Sequence, residues 1–137
     1  MGESNKAIAG LIIFITGCFQ LFFLNTWWKY GWDGEPFKTY FSIAFSIHYL
    51  LIPMIMMSGI LLLRNRTLGA TLALIFGFIF LGWGIANMTL WGIAYTGTMT
   101  LREMVLSLLH ISINFLTYPV LVVIGAFIGK RGGFETE

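Results

Sequence analysis

Charged residues divide the chain into four uncharged and strongly apolar stretches. No Asp, Glu, Lys or Arg occurs at positions 7–28, 39–63, 67–101 or 104–129. An α-helix rises about 1.5 Å per residue, so about 20 apolar residues cross the ~30 Å hydrocarbon core of a bilayer. The pattern predicts four transmembrane helices at about 7–27, 39–63, 68–91 and 104–128, all in one domain that covers residues 1–137.

Composition strengthens this prediction. The chain has 137 residues, of which 58% are hydrophobic and 10% are charged, less than half the charge of about 25% that soluble domains carry. A soluble chain of this length has too small an interior to bury so much apolar surface. The fold class is therefore predicted as an all-α integral membrane protein. The net charge of +2 is small and scattered, which disfavours nucleic acid as a partner.

The distribution of basic residues predicts the orientation. Four crossings bring both termini and the turn at 64–66 to the same side of the membrane. Five Lys and Arg residues lie on that side and three on the other, which favours cytoplasmic termini. The five are Lys6, Arg64, Arg66, Lys130 and Arg131, and the three are Lys29, Lys38 and Arg102. The first stretch runs into Asn25 and Thr26 without a small-residue cleavage motif, so we expect it to be retained as a helix.

An internal repeat relates the second and fourth stretches. A shift of 66 residues aligns Ser46–Leu50 with Ser112–Leu116, Pro53 with Pro119 and Gly59 with Gly125. The bundle is therefore predicted to consist of two tandem two-helix hairpin repeats, related by a pseudo-two-fold axis along the membrane normal. The matched prolines are expected to bend their helices near the middle of the membrane.

Small residues and tryptophans mark the expected packing surfaces. Ala73, Gly77 and Gly84 share one face of the third helix, and Gly125 and Gly129 form a Gly-x-x-x-Gly motif on the fourth. Tryptophans at the outer ends of helices fit either an aromatic belt at the membrane interface or a docking surface for a partner. The tryptophans concerned are Trp27, Trp28 and Trp91.

Polar residues recur along one face of the fourth helix. Their spacing of three and four residues excludes a lipid-facing position, because an unpaired polar group costs several kcal/mol in hydrocarbon. The stripe comprises Glu103, Ser107, His110, Asn114 and Thr117. By the repeat, His48 lies at the depth of Asn114. We therefore expect a candidate cofactor-binding crevice lined by His48, Asn87, His110 and Asn114, with simple hydrogen bonding between helices as the alternative for each residue.

Two histidines on different helices are the minimum for bis-imidazole ligation of haem b. His110 is expected about one helical turn, roughly 5.4 Å, above the level of His48, which makes the geometry uncomfortable. A quinone or a lipid headgroup needs no such strict alignment.

The single Cys18 provides no paired thiol, and no separate metal site is predicted. No Gly-x-Ser-x-Gly or His-Glu-x-x-His motif occurs, so catalysis by the chain alone is not expected.

These features favour a non-catalytic small subunit that packs and positions other chains within a larger membrane complex of the energy-transducing or redox kind. Its expected partners are membrane lipid and other integral membrane subunits. A second hypothesis is a haem b or quinone-binding electron-transfer subunit that uses His48 and His110. A third is a small channel or carrier that uses the predicted crevice as its entry.

Overall fold

A computed structural model describes residues 2–29, 37–95 and 100–134. These residues are almost entirely helical, and no strand occurs among them. The elements are α1 (Gly2–Lys29), α2 (Phe37–Leu63), α3 (Leu68–Tyr95), α4 (Leu101–Ser112), a π turn (Ile113–Thr117) and α5 (Tyr118–Phe134). The chain is therefore all-helical over its described part.

Three of these helices are long and apolar enough to cross a membrane. The segments that meet this condition are Glu3–Asn25, Ser46–Leu63 and Leu68–Leu90. The helices extend beyond the predicted spans, because Lys, Glu and other polar residues at the ends are compatible with continued helical hydrogen bonding. A membrane location is thus consistent with the structure.

The last helical segment is interrupted, whereas the sequence predicts a single fourth helix that bends at Pro119. It consists of α4 with 12 residues, the π turn with 5 and α5 with 17. Pro119 has no N–H to donate to the carbonyl of residue 115, and its ring clashes with that carbonyl in a regular helix. A π turn widens the helix locally and relieves this clash. It also shifts the helical register, so the predicted stripe does not continue straight to Thr117, which is exposed.

The matched proline in α2 behaves differently. Pro53 lies inside an α-helix that runs without a break from Phe37 to Leu63, and its side chain is exposed, whereas Pro119 is fully buried. The matched glycines also differ from the expectation. A simple two-fold relation would place Gly59 against α1 and Gly125 against α3, but both lie against α1. Residues that match in sequence therefore have different surroundings.

The helices contact one another in a ring. α1 packs against α2 and α5, and α3 packs against the same two helices from the other side. All four contribute to one core, which includes Ile13, Ile55, Phe80 and Val122. Hydrophobic packing thus extends along the axis of the bundle.

The distribution of polar and apolar side chains is the reverse of that in a soluble bundle. Large apolar side chains such as Phe22, Leu50 and Phe78 are more than half exposed on the outer surface. Several polar side chains are buried inside instead: Lys6, Thr16, Gln20, His48, Ser58 and Asn87. This arrangement is typical of a protein whose outer solvent is hydrocarbon.

A tight turn connects α2 to α3 and holds the start of α1. The N–H of Arg66 donates to the carbonyl of Leu61 at 2.8 Å, and the N–H of Asn65 donates to that of Leu62 at 2.9 Å. With Asn65 at φ 58°, these bonds form a Schellman motif, in which Asn tolerates the left-handed conformation. The Asn65 side chain also donates from Nδ2 to Oε1 of Glu3 at 3.2 Å. The turn therefore lies beside the first turn of α1.

Candidate functional site

His48 lies at the centre of the candidate site, on α2 and inside the bundle. Its side chain is only 1% exposed. The imidazole packs edge-to-face against Phe80 of α3, with ring centroids 5.0 Å apart, and against Phe115 of the π turn, with centroids 5.2 Å apart. Aromatic pairs prefer this geometry because the positive edge of one ring meets the negative face of another. His48 therefore connects α2 with α3 and with the last helical segment.

The π turn approaches α3 at a glycine. A Cβ atom on Gly84 would collide with the carbonyl oxygen of Phe115, so only glycine fits at this position. That carbonyl is also the acceptor to which Pro119 cannot donate. Close backbone contact at Gly84 and ring contact at His48 thus position Phe115 together.

Asn87 lies on α3, three residues after Gly84, and is also buried. Its Nδ2 donates to the carbonyl of Trp83 at 2.8 Å, one helical turn back. Such a bond satisfies a polar side chain within its own helix and leaves it less available to a ligand. Asn87 therefore lies on the same helix as Phe80, and its side chain is hydrogen-bonded to the backbone of that helix.

The other residues of the predicted crevice are described only in part. His110 lies in α4 and Asn114 in the π turn, but their side chains lie outside the described part of the structure. The side chains of Trp27, Trp28 and Trp91 also lie outside it. That His110 and Asn114 line a crevice with His48 stays a prediction.

The predicted small residues lie at contacts between helices. Ala73 is fully buried in the core. A Cβ on Gly77 would lie 3.0 Å from a methyl group of α5, and one on Gly125 would lie 2.9 Å from a carbon of Ile13 in α1. A Cβ on Gly129 would lie 3.1 Å from α2 and 3.2 Å from α1. These positions allow the helices to approach closely.

A close crossing of α1 and α2 was not predicted. A Cβ on Gly10 would lie 2.8 Å from the carbonyl oxygen of Gly59, and a Cβ on Gly59 would lie 2.9 Å from that of Gly10. The two glycines therefore face each other directly. The sequence does not show which residues of two separate helices meet, which is why the pattern alone does not pair these glycines.

A hydrogen bond joins the same two helices nearer to the other end. The hydroxyl of Tyr49 donates to Oδ1 of Asn25 at 2.7 Å. The sequence pattern gives no role to Tyr49, the residue after His48. This bond and the glycine crossing fix α1 against α2 at two levels.

Glu103 caps the start of α4. Its Oε2 accepts from the N–H of Thr100 at 2.9 Å and from the Thr100 hydroxyl at 2.7 Å, while its own N–H donates to Thr100 Oγ1 at 3.4 Å. The hydrogen bonds from the Thr100 side chain and backbone lower the pKa of Glu103 below its usual value. The Thr-x-x-Glu sequence is the signal of such a capping box, and it assigns Glu103 to helix initiation.

Within the described residues, no group of three or more His, Cys, Asp or Glu side chains is placed to hold a metal ion. Comparison with models of known protein families, with curated proteins and with solved structures finds no match for this chain.

Proposed function

We propose that the protein is a non-catalytic integral membrane subunit that packs against and positions other chains of a larger membrane complex. The observation that carries this proposal is the environment of His48. Its imidazole is enclosed by Phe80 and Phe115, where it contributes to the packing of three elements. Asn87 is likewise bonded to its own helix. The contacts of His48 thus support packing between helices, and the bond of Asn87 engages its side chain within α3.

The packing of α4 supports the existence of a partner. Among the described elements, α4 has its main tertiary contacts with α3 alone, whereas α5 packs against both α1 and α3. Four large apolar side chains of α4 are between 45% and 73% exposed: Leu101, Val105, Leu106 and Leu109. A helix of another subunit with an apolar face fits this surface, which we call the α4 flank.

The proposal includes a four-span topology. The segment from α4 to α5 serves as the fourth span, with its π turn inside the membrane and both termini on the cytoplasmic side. The uncharged stretch 104–129 and the five basic residues of the terminal side support this topology. The tandem repeat is part of the same proposal and rests on the sequence match alone.

Purification under mild conditions tests the subunit role. The tagged full-length chain is extracted from native membranes in a gentle detergent, and all co-eluting proteins are identified by mass spectrometry. We expect one or more integral membrane proteins at a fixed ratio to the chain. A variant with Leu106 and Leu109 changed to Ala serves as a probe of the α4 flank and is expected to lose them. Elution as a lone monomer in several mild detergents would contradict the proposal.

A second candidate function is electron transfer through a bound haem or quinone. The π turn favours it, because π turns are frequent at functional sites and this one lies directly against His48. His48 is only 1% exposed, so a haem would reach its imidazole only after the packing around it opened. A visible absorption spectrum of the same preparation tests whether a haem is bound. Soret and α bands that disappear in a His48→Leu variant would support it, and their absence in cells that make haem would exclude it.

A further inference from the structure

Lys6 is the most deeply buried charged residue that the structure describes. It lies on α1 and is only 5% exposed. It precedes Ala9 by three residues and Ile13 by seven, and both of these are fully buried in the core. Residues at this spacing share one face of a helix, so Lys6 lies on the face of α1 that points into the bundle.

The level of Lys6 along the bundle follows from its neighbours. Glu3, one turn before it, accepts a hydrogen bond from Asn65 in the α2–α3 turn. Gly10, one turn after it, lies against Gly59 and Leu63 in the last turns of α2. Lys6 therefore lies level with the C-terminal end of α2. A lysine in such a place covers its methylene groups with protein and carries its ammonium group toward the end of the bundle.

Four other cations lie at the same level. Arg64 and Arg66 follow the end of α2 directly. Lys130 and Arg131 follow Gly129, a residue that lies against Leu62 of α2 and Ala9 of α1. All four are exposed, and Glu3 is the one acid among the described residues at this end. We call this group of five cations the basic end.

Glu3, the one described acid at this level, does not neutralise the five cations of the basic end. Among the described residues, Lys6 has no carboxylate within salt-bridge distance, and Glu3 is bonded to Asn65. The burial of Lys6 covers the residue as a whole, and its ammonium group at the end of the bundle is the part that an anionic partner can reach. A phosphate group supplies several strong acceptor oxygens for Lys and Arg. In a bilayer, the anionic groups at the depth of helix ends are the phosphates of lipids.

We infer that the basic end is a binding site for the phosphate headgroup of an anionic phospholipid, with Lys6 as its inner ligand and the arginines and lysines of the rim around it. The inference depends on the membrane location and is independent of the proposed subunit role. Free inorganic phosphate shares the same chemistry, but the acyl chains of a lipid are held by the exposed apolar faces of the adjacent helices.

Native mass spectrometry of the full-length chain tests the site. The protein in non-ionic detergent receives equal amounts of phosphatidylglycerol and phosphatidylcholine with identical acyl chains, so the ratio bound reports the headgroup alone. We expect a preference for phosphatidylglycerol that falls roughly tenfold in Lys6→Gln, since a charge-assisted hydrogen bond is lost. Lys6→Arg is expected to retain the preference. An unchanged preference in Lys6→Gln would overturn the inference.

Three controls sharpen the result. Arg102→Gln removes one exposed charge from α4 and is expected to leave the preference unchanged, whereas an equal loss there would show nonspecific attraction and contradict the site. If Lys6→Gln fails to fold, as judged by circular dichroism, Arg64→Gln with Arg66→Gln is expected to weaken the preference instead, and no effect would contradict the site. Loss of bound phosphatidylglycerol on addition of millimolar inorganic phosphate would assign the site to the free anion.

The C-terminal acids provide a further control. Glu135 and Glu137 lie outside the described residues and close in sequence to Arg131. Changing both to Gln is expected to leave the lipid preference within about twofold. A rise of roughly tenfold would show that the tail itself occupies the basic end, and would overturn the inference. Failure of the lipid test leaves the co-purification result unaffected, so the two proposals are separately testable.

Discussion

At the scale of single residues, glycines on the same helix differ in what they permit. A Cβ on Gly84 would collide with the backbone of Phe115, while a Cβ on Gly82 would have no atom within 4 Å. Gly84→Ala is expected to destabilise the bundle by about 3 kcal/mol, the upper end for overpacking, because a backbone atom must move. Gly82→Ala is expected to be neutral or stabilising by up to about 1 kcal/mol, because Ala favours helix. Equal thermal unfolding temperatures for the two variants in detergent would contradict this contact.

Asn65 provides a second test at this scale. Its φ of 58° costs an Ala side chain about 1–2 kcal/mol, whereas glycine adopts it freely. Asn65→Ala is therefore expected to lower the free energy of unfolding. Asn65→Gly is expected to retain it, except for the contribution of the exposed hydrogen bond to Glu3. Unfolding of both variants by chemical denaturation in detergent makes the comparison. A glycine variant as unstable as the alanine variant would show that the hydrogen bond, not the backbone, matters at this turn.

The residue-scale predictions had uneven success for physical reasons. The burial of His48 follows from the cost of a polar group in lipid, which a sequence shows directly. The contact of His48 with Phe115 depends on the direction in which the π turn orients the Phe115 ring. Regular helical spacing does not predict that direction. The Thr-x-x-Glu motif of the capping box is local in the sequence, but the three- and four-residue spacing also places Glu103 in the polar stripe.

At the scale of elements, the π turn connects Pro119 to the packing of His48. Pro119→Ala restores an N–H that can donate to the Phe115 carbonyl, so we expect a regular α-helix to replace the π turn. Phe115 would then rotate away from His48. NMR chemical shifts of the His48 imidazole are expected to change in this variant and to stay unchanged in Pro53→Ala, which alters an exposed proline of an unbroken helix. Unchanged chemical shifts in both variants would show that the π turn and its contact with His48 do not depend on Pro119.

The capping box of α4 predicts a response to pH. Hydrogen bonds from Thr100 lower the pKa of Glu103 in the folded protein. The stabilisation is therefore present above the unfolded pKa and is lost as the pH falls through the lower folded value. In Thr100→Ala, NMR titration of the Glu103 carboxyl is expected to show its pKa rise toward the usual value. A pKa that does not move would mean that another group holds this carboxylate.

Element positions were more predictable than their details. The uncharged stretches overlap every helix among the described residues, although the fourth stretch contains two helices and the π turn, because only regular hydrogen-bonded backbone is tolerated in hydrocarbon. Helix ends lie beyond the apolar spans, since backbone hydrogen bonding continues past the last apolar residue. The π turn was not predicted, because proline in a helix is accommodated either by a bend or by a local change of register.

At the scale of the whole molecule, several polar residues lie inside the bundle and many large apolar residues are exposed on its outer surface. Composition predicts this reversal, since 10% charge leaves too few polar residues to cover the surface. The arrangement of repeats was less predictable. Gly59 and Gly125 match in sequence but both lie against α1, because neighbouring side chains decide which helix a glycine meets. Sequence similarity between helices does not by itself fix their contacts.

The central claim is that another membrane protein covers the α4 flank. A photo-crosslinking amino acid at Leu109, which is 57% exposed, tests it directly in native membranes, with Phe127 on α5, which is 50% exposed, as the comparison position. Illumination at Leu109 is expected to give a discrete adduct heavier by the mass of a second polypeptide, with no such adduct at Phe127. Lipid adducts alone at Leu109 and at Val105 would contradict the claim.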